Sequence, residues 1–148
     1  MESHAHLPLH QLHLEQGARM VPFAGYMMPV QYRAGLLAEH LHTREKASLF
    51  DVSHMGLISV SGPDAAAALE HVLATDIMGL AVHRQRYALM LQHDGGILDD
   101  LMVARRSDDY LLIVNASRKQ EDLQWLQSHI GHACTIKALS DQALLALQ

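Results

Sequence analysis

The sequence predicts an α+β fold with a largely antiparallel sheet flanked by helices. From residue 57 onward the apolar pattern indicates a strand, a helix, three strands, a helix and two strands, which differs from the strict alternation of a doubly wound sheet. The triplet Asp94-Gly95-Gly96 between two strand-like runs is a strong hairpin signal. The chain has 148 residues, of which 49% are hydrophobic, and this is enough for one ordinary domain. We therefore expect a short tail over 1–7 and one domain over 8–148.

The first third of the chain is predicted to hold two helices. Residues 8–16 have proline in the first turn and Gly17 as a stop signal. Residues 25–32 are rich in methionine and aromatic side chains with turn residues at their edges, which indicates an irregular packed connection. A second helix is predicted from Gly35 to about Lys46, where apolar residues recur at helical spacing.

The remaining elements follow from alternation and from helix-start signals. Ser117 followed by Gln120 is a capping-box pattern that opens a helix. We predict helices over 65–73 and 117–129, and strands over 57–61, 84–92, 97–105, 110–114, 133–139 and 143–147. The last strand ends without a turn or a polar tail, so we expect the chain to be a fragment of a longer protein.

Composition excludes several classes of function. The formal net charge is -5, so no basic field indicates a nucleic acid or an anionic membrane as partner. No apolar run approaches the roughly 18 residues that a membrane span needs, and the N-terminus lacks the features of a secretory signal or a transit peptide. Cys134 is the single cysteine and is interpreted as a small core thiol in a reducing compartment. We expect a soluble, cytoplasmic protein.

Four of the twelve histidines crowd the N-terminus, at His4, His6, His10 and His13. Clustered imidazoles are one possible metal site. No cysteine or aspartate shares the cluster, and Glu15 is the nearest carboxylate after it. We favour a solvated or partly packed N-terminal turn and expect no metal.

The hairpin carries two adjacent carboxylates, Asp99 and Asp100. If the loop has two residues, the residue numbers of each pair of facing positions sum to an odd number. This places Tyr87 on the same sheet face as Asp100, and Arg84 and Arg86 on the same face as Asp99. Asp99 could then simply be ion-paired. Asp100 is expected among apolar side chains, with both acids partly out of water, where the pKa of a carboxyl rises. On spacing alone, a charge that protects an exposed strand from edge pairing explains Asp100 better than catalysis does.

No other catalytic signature is present in the sequence. It has no phosphate-binding glycine loop, nucleophile elbow, paired-cysteine motif or His-Glu-x-x-His. Asp51, Ser53 and His54 are the residue types of a triad, but residues so close along the chain cannot reach triad geometry with one another.

A set of segments in a fixed order gives the sequence its family resemblance. The segments are Pro8-Leu9, Gly17-Ala18-Arg19-Met20-Val21, Phe23-Ala24-Gly25-Tyr26, Met28-Pro29-Val30-Gln31-Tyr32, His42-Thr43-Arg44, Ser48-Leu49-Phe50-Asp51-Val52-Ser53-His54-Met55, Gly95-Gly96-Ile97-Leu98-Asp99-Asp100-Leu101, Val114-Asn115-Ala116 and Ala143-Leu144-Leu145-Ala146-Leu147-Gln148. With them the chain resembles the N-terminal part of the T-protein of the glycine cleavage system, an aminomethyltransferase. The departures are Tyr26, where the family usually has tryptophan, and the length, because family members are more than twice as long.

The resemblance implies a reaction and a set of site residues. Such proteins take the aminomethyl group from the lipoyl arm of the H-protein, release ammonia and pass the one-carbon unit to tetrahydrofolate. The resemblance implies that Asp100 is the catalytic residue and that Met55, Tyr87 and Asn115 line the pterin. Folate contacts that the family supplies from its later half have no counterpart in the 148 residues. We therefore expect this chain alone to lack part of the folate pocket.

Two alternatives stay open at the level of sequence. One is another tetrahydrofolate-dependent enzyme on the same scaffold, such as a demethylase of small methylated amines or sulfonium compounds. The other is a folate-binding module without catalytic activity.

Overall fold

The structure is a computed structural model that describes residues 4–148. The elements, in chain order, are β1 (Ala5–His6), α1 (His10–Glu15), β2 (Arg19–Phe23), β3 (Tyr26–Gln31), α2 (Leu36–Glu45), β4 (Leu49–Asp51), β5 (Gly56–Ser61), α3 (Ala65–Glu70), β6 (Gln85–Leu91), β7 (Ile97–Arg105), β8 (Tyr110–Val114), α4 (Lys119–Ile130), β9 (Thr135–Ala138) and β10 (Leu145–Leu147). They divide into two compact units. Unit 1 contains the described residues up to His54 together with Asp141–Gln148, and unit 2 is Met55–Ser140.

Unit 1 contains two small sheets and two helices. In the first sheet β3 lies between β1 and β2, parallel to β1 and antiparallel to β2. In the second sheet β4 pairs with β10 in antiparallel register. The strand β1 lies inside the tail predicted over 1–7, of which residues 1–3 fall outside the described part. Both predicted helices are present, as α1 and α2.

The prediction of an irregular connection over 25–32 is wrong, because most of it is strand β3. A two-residue turn joins β2 to β3, with positive φ at Ala24 (47°) and Gly25 (82°). Such a turn favours hairpins, but it is normally signalled by Asn-Gly or Asp-Gly. Pro22 and Pro29 lie within the paired strands, and proline in a sequence run argues against a strand.

Unit 2 is built on one five-stranded sheet in the order β6-β7-β8-β5-β9. All four neighbouring pairs are antiparallel, which confirms the α+β fold with a largely antiparallel sheet. The core of this unit joins one face of the sheet to side chains of α3 and α4. Its completely buried members include Val60, Leu69, Val103, Leu112 and Leu126.

The start of α4 differs from the capping-box prediction. The helix begins at Lys119 with Arg118 as its N-cap, and no side chain caps it. Ser117 is one residue too early to cap it and is exposed. Since the helix is amphipathic, with Leu126 and Ile130 buried, packing determines its position and the capping signal does not.

The hairpin loop between β6 and β7 has five residues, Gln92 to Gly96. The prediction of which side chains share a sheet face assumed a loop of two residues. The backbone N–H of Gln92 donates to the carbonyl oxygen of Gly96 at 2.7 Å. An irregularity between Met90 and Leu91 then shifts the register by one residue. From Met90 back to Gln85 the residue numbers of facing positions sum to an odd number. Tyr87 therefore shares a sheet face with Asp100, and Arg86 shares one with Asp99, as predicted, although the assumed loop length is wrong.

No helix among residues 4–148 is long and apolar enough to cross a membrane. Cys134 is free and half-buried, and it packs against the core of unit 2. Burial raises the pKa of its thiol, in agreement with its interpretation as a core thiol.

Candidate active site

The four residues that the resemblance singles out lie in unit 2, at neighbouring positions on its sheet. Asp100 lies on β7, and Asn115 directly follows the adjacent strand β8. Gly56 pairs with Val114, so Met55 and Asn115 flank this pair at the same end of β5 and β8. Tyr87 lies on β6 and shares a sheet face with Asp100, because Tyr87 faces Met102 and Leu89 faces Asp100.

Asn115 connects both aspartates of the hairpin through its side-chain amide. Its Nδ2 group donates to Oδ1 of Asp99 at 2.9 Å, to the carbonyl oxygen of Asp100 at 2.9 Å and to Oδ1 of Asp100 at 3.2 Å. An amide NH2 has two protons, so these three acceptors share them. The position of the Asp100 carboxylate is thereby tied to Asn115 and, through it, to Asp99.

Asp100 is exposed, which corrects the expectation that it lies among apolar side chains and partly out of water. Its partners are polar. Partial desolvation raises the pKa of Tyr87, and the charge of Asp100 and a hydrogen bond to it add to this effect. The Tyr87 hydroxyl and the Asp100 carboxylate therefore adjoin on this face. Tyr87 is itself 55% exposed, so the carboxylate and the phenol form an open face of the sheet.

Asp99 is the buried member of the pair, with 8% of its surface exposed. Within residues 4–148 no arginine forms the ion pair with Asp99 that its sheet face would allow. Arg86 donates instead to the carbonyl oxygen and to Oδ2 of Asp76, at 2.6 and 3.2 Å. Arg86 faces Val103, which is four residues, or about 13 Å, along the strand from Asp99. A shared face therefore did not imply contact.

Asp122 on α4 is a site residue that the sequence reasoning missed. It is 1% exposed, and its carboxyl adjoins that of Asp99. Burial, the neighbouring Asp99 carboxyl and the charge of Glu121 together raise the pKa of Asp122 to about 7, against the opposing charge of Arg118. A sequence signal did exist, because Asp122, Leu126 and Ile130 recur every four residues on the buried stripe of the helix.

The polar groups of this face suit an amine-bearing and amide-bearing heterocycle. A solvent-accessible carboxylate accepts hydrogen bonds from N–H groups and stabilises positive charge. The Asn115 amide offers its side-chain oxygen as an acceptor, and the Tyr87 ring provides a flat apolar surface with a polar tip. Met55 is half-buried beside them and supplies a polarizable apolar side chain. A folate pterin combines these features.

Unit 1 has a polar cluster around a buried histidine–aspartate contact. His13 bonds Asp51 through Nε2 at 2.7 Å and Tyr32 through Nδ1 at 2.7 Å. Ser53 donates to Asp51 from both its backbone N–H and its hydroxyl. The histidine that bonds Asp51 is thus His13 and not His54. In a catalytic triad the serine bonds the histidine, whereas here Ser53 bonds Asp51, so this arrangement is not a triad.

The N-terminal histidines are distributed over different contacts. The rings of His6 and His10 stack with centroids 3.9 Å apart, while His13 belongs to the cluster with Asp51. No group of three or more potential metal ligands occurs among residues 4–148. A cavity of about 730 Å³ also lies in unit 1. None of the four residues that the resemblance singles out lines it.

Known proteins resemble this chain in sequence and in structure. The family described as the GCVT N-terminal domain matches residues 9–148. An aminomethyltransferase of Chloroherpeton thalassium is 47% identical over 123 residues, which are 82% of this chain and 34% of that protein. An aminomethyltransferase of Symbiobacterium thermophilum is 43% identical over 153 residues, covering 99% of this chain and 40% of that protein.

A crystal structure of the glycine cleavage system aminomethyltransferase T from Bartonella henselae superposes with a TM-score of 0.91. The two are 43% identical, and the match covers 99% of this chain and 41% of that one. This chain thus spans about two fifths of the length of these relatives. Because the family match covers nearly all of the sequence, the chain belongs to the family of the GCVT N-terminal domain.

Proposed function

We propose that residues 8–148 form the folate-binding domain of an aminomethyltransferase of the glycine cleavage system. The reaction transfers the one-carbon unit of an aminomethyl-lipoyl group to tetrahydrofolate, releases ammonia and leaves the lipoyl arm reduced. The observation that carries this proposal is the grouping of Asp100, Tyr87 and Asn115 on one open sheet face. The names of the relatives support the choice of reaction.

Asp100 is the catalytic residue in this proposal. Its exposed carboxylate accepts a hydrogen bond from the reacting folate amine. The folate nitrogen bonds to the aminomethyl carbon as the C–S bond breaks, and the proton of that nitrogen goes to the lipoyl sulfur. The amino group then takes up a proton and leaves as ammonia, and the resulting folate iminium, which Asp100 faces, is closed by the second folate nitrogen with loss of its proton. A fixed negative charge lowers the energy of such a cation without reorganisation during the reaction. Asn115 and Tyr87 fix the carboxylate before the substrate arrives, and positioning of this kind supplies much of the rate.

The other residues of the face bind the pterin. Asn115 has acceptor capacity left on its side-chain oxygen and orients the pterin edge. Tyr87 and Met55 contribute apolar contact on either side of the carboxylate. Tetrahydrofolate is the acceptor substrate, and the lipoyl-carrying H-protein is the macromolecular partner. We place the protein in the cytoplasm, in keeping with its single free cysteine.

Transfer is tested in a fusion protein, because this chain spans about two fifths of its relatives. The 148 residues are joined to the part of the Bartonella henselae protein that lies beyond the matched region. We expect the fusion to form methylenetetrahydrofolate and ammonia in equal amounts from an aminomethylated lipoyl donor. The unmodified Bartonella protein is the positive control.

Two other results identify the alternatives. A folded fusion that binds tetrahydrofolate and transfers nothing indicates a binding module. A fusion that accepts methyl groups from small methylated amines, but ignores the lipoyl donor, indicates a demethylase. Either result contradicts the proposed function.

A further inference from the structure

Asp99 and Asp122 bring two carboxyls together in the interior of unit 2. Asp122 is 1% exposed and Asp99 is 8% exposed. The Oδ2 atoms of both residues are buried and have no hydrogen-bond partner among residues 4–148. After burial, Asp99 is the neighbour that most strongly raises the pKa of Asp122, so the two carboxyls adjoin. Two ionised carboxylates can only repel each other, because each offers only acceptors, whereas a proton on one of them turns the contact into a hydrogen bond.

We propose that Asp122 and Asp99 hold one proton between them at neutral pH, and that this proton positions Asn115 and, through it, the carboxylate of Asp100. Asp122 is the donor in this arrangement and Asp99 is the ionised acceptor. Asp99 then accepts from Asp122 on one side and from Nδ2 of Asn115 on the other, at 2.9 Å. Asp122 is a positioning residue, because it reaches the site only through Asp99 and Asn115.

The charged groups around Asp122 favour this distribution of protons. The pKa of Asp122 is affected by Asp99 on β7 and by Glu121 and Arg118, which lie at the same end of α4 as Asp122. Two of these groups are negative, and only Arg118 is positive. Burial, the bond to Asp99 and the two negative charges together raise the pKa of Asp122 to about 7. The proton therefore stays on Asp122 below neutrality and leaves as the pH rises through that value.

Loss of this proton changes the positions of Asp99 and Asn115, the side chains behind Asp100. Two negative carboxyls in contact repel strongly in a buried environment, so Asp99 moves or recruits water. Asn115 shares its two amide protons among Asp99 and Asp100, and its hydrogen bonds to them change when Asp99 moves. The shared proton depends only on the fold of unit 2, whereas its effect on one-carbon transfer rests on the proposed function.

The test follows Asn115 directly, because it is the only asparagine in the chain. Asparagine labelled with 15N in its side-chain amide gives a single NH2 signal in the 148-residue chain. Its chemical shift is recorded between pH 5 and pH 9 in the unaltered chain and in Asp122→Asn. The variant has a second asparagine, at position 122, so its two NH2 signals are assigned to their residues before the titration. Asparagine at 122 retains a donor for Asp99 but cannot titrate, so it replaces the shared proton permanently.

We expect one step in the Asn115 signal of the unaltered chain, with a midpoint near pH 7, and no step in Asp122→Asn. The signal of the variant should stay near the low-pH position of the unaltered chain. A flat signal in the unaltered chain, or the same step in the variant, overturns the proposal. Persistence of the step would assign it to a group other than Asp122.

A second measurement needs no variant and covers the case in which Asp122→Asn fails to fold. Aspartate labelled with 13C at its carboxyl carbon reports the protonation of each aspartate in the unaltered chain. We expect one aspartate to remain mostly protonated at pH 6. Ionisation of every aspartate carboxyl below pH 5 overturns the proposal. Neither measurement uses activity, so a failure here is distinct from a failure of the proposed function.

Discussion

The side-chain amide of Asn115 lies 2.9 Å from Oδ1 of Asp99 and joins the end of β8 to the buried side of β7. Asp99 points into the core, whereas its neighbour along the strand points to solvent. One amide therefore contacts a buried acid and an exposed acid at the same time. This contact links the interior of unit 2 to the face on which we place the chemistry.

Asn115→Ala removes that link. Asp99 loses its amide donor and Asp100 loses one of its two side-chain partners, so we expect the chain to lose about 2 kcal/mol of unfolding free energy. Urea denaturation at pH 7 measures this. Ser117→Ala, an exposed position nearby, is the control and should change stability by less than about 0.5 kcal/mol. Equal stability of the two variants would show that the amide link contributes nothing.

Gly56 allows β5 and β8 to approach closely beside the site. A Cβ atom added there would lie 2.6 Å from Cγ2 of Val114 and 2.8 Å from Cγ of Lys119. The lysine side chain can move away, but Val114 is completely buried. We expect Gly56→Ala to cost about 1–3 kcal/mol of stability through overpacking.

The same clash can be relieved by a second substitution. In the double variant Gly56→Ala/Val114→Ala the valine methyl that blocks the new Cβ is gone. We expect the two costs to be less than additive, with a favourable coupling of about 1 kcal/mol. Strict additivity in urea unfolding would show that Val114 is not the obstacle.

The buried pair His13 and Asp51 makes unit 1 sensitive to acid. Their side chains are 6% and 2% exposed. Burial alone would raise the pKa of Asp51, but hydrogen bonds from Ser53 and His13 outweigh it and hold the pKa below its usual value. The resulting stability is present above the unfolded pKa of 3.8 and is lost as the pH falls through the lower folded value.

Asp51→Asn should therefore destabilise the chain at pH 7 by about 3 kcal/mol, because it leaves polar partners of a buried charge unpaired. The difference between the variant and the unaltered chain should shrink as the pH falls below 3.8. Urea titrations followed by circular dichroism at several pH values measure this. Asp141→Asn, at an exposed position, is the control. A difference that stays constant down to the lowest pH contradicts the assigned shift.

The 148-residue chain alone should bind tetrahydrofolate more weakly than about 1 μM. The face around Asp100 is open, with Tyr87 55% exposed, whereas small-molecule sites bury most of their ligand. Isothermal titration of tetrahydrofolate into the chain measures the affinity. Micromolar or tighter binding would mean that these residues form a complete pocket without the remainder of the relatives' length.

Much of unit 2 could be predicted from the sequence, because its elements carry strong local signals. β7 and β8 match their predicted bounds, and their residues alternate between buried and half-exposed. The hairpin of unit 1 was missed, since its strands contain prolines and its turn is Ala-Gly. Strand signals are weakest where local residues disagree with the pairing that tertiary structure imposes.

The candidate site was predicted only in part. Strand parity correctly placed Tyr87 and Asp100 on one face. It could not show that this face is open, because exposure depends on what the rest of the chain covers. Asp122 was missed because a carboxylate in the first turn of a helix normally signals a favourable interaction with the helix dipole, and burial against Asp99 is a tertiary effect.

The catalytic role proposed for Asp100 is tested by the rate of one-carbon transfer in the fusion protein carrying Asp100→Asn. Asparagine can keep hydrogen bonds to Tyr87 and Asn115, so the fold should survive while the negative charge is lost. We predict a fall in the transfer rate of about 100-fold or more at saturating folate, with Asp108→Asn, at an exposed turn position, close to the unaltered rate. Near-normal transfer by Asp100→Asn would contradict the account.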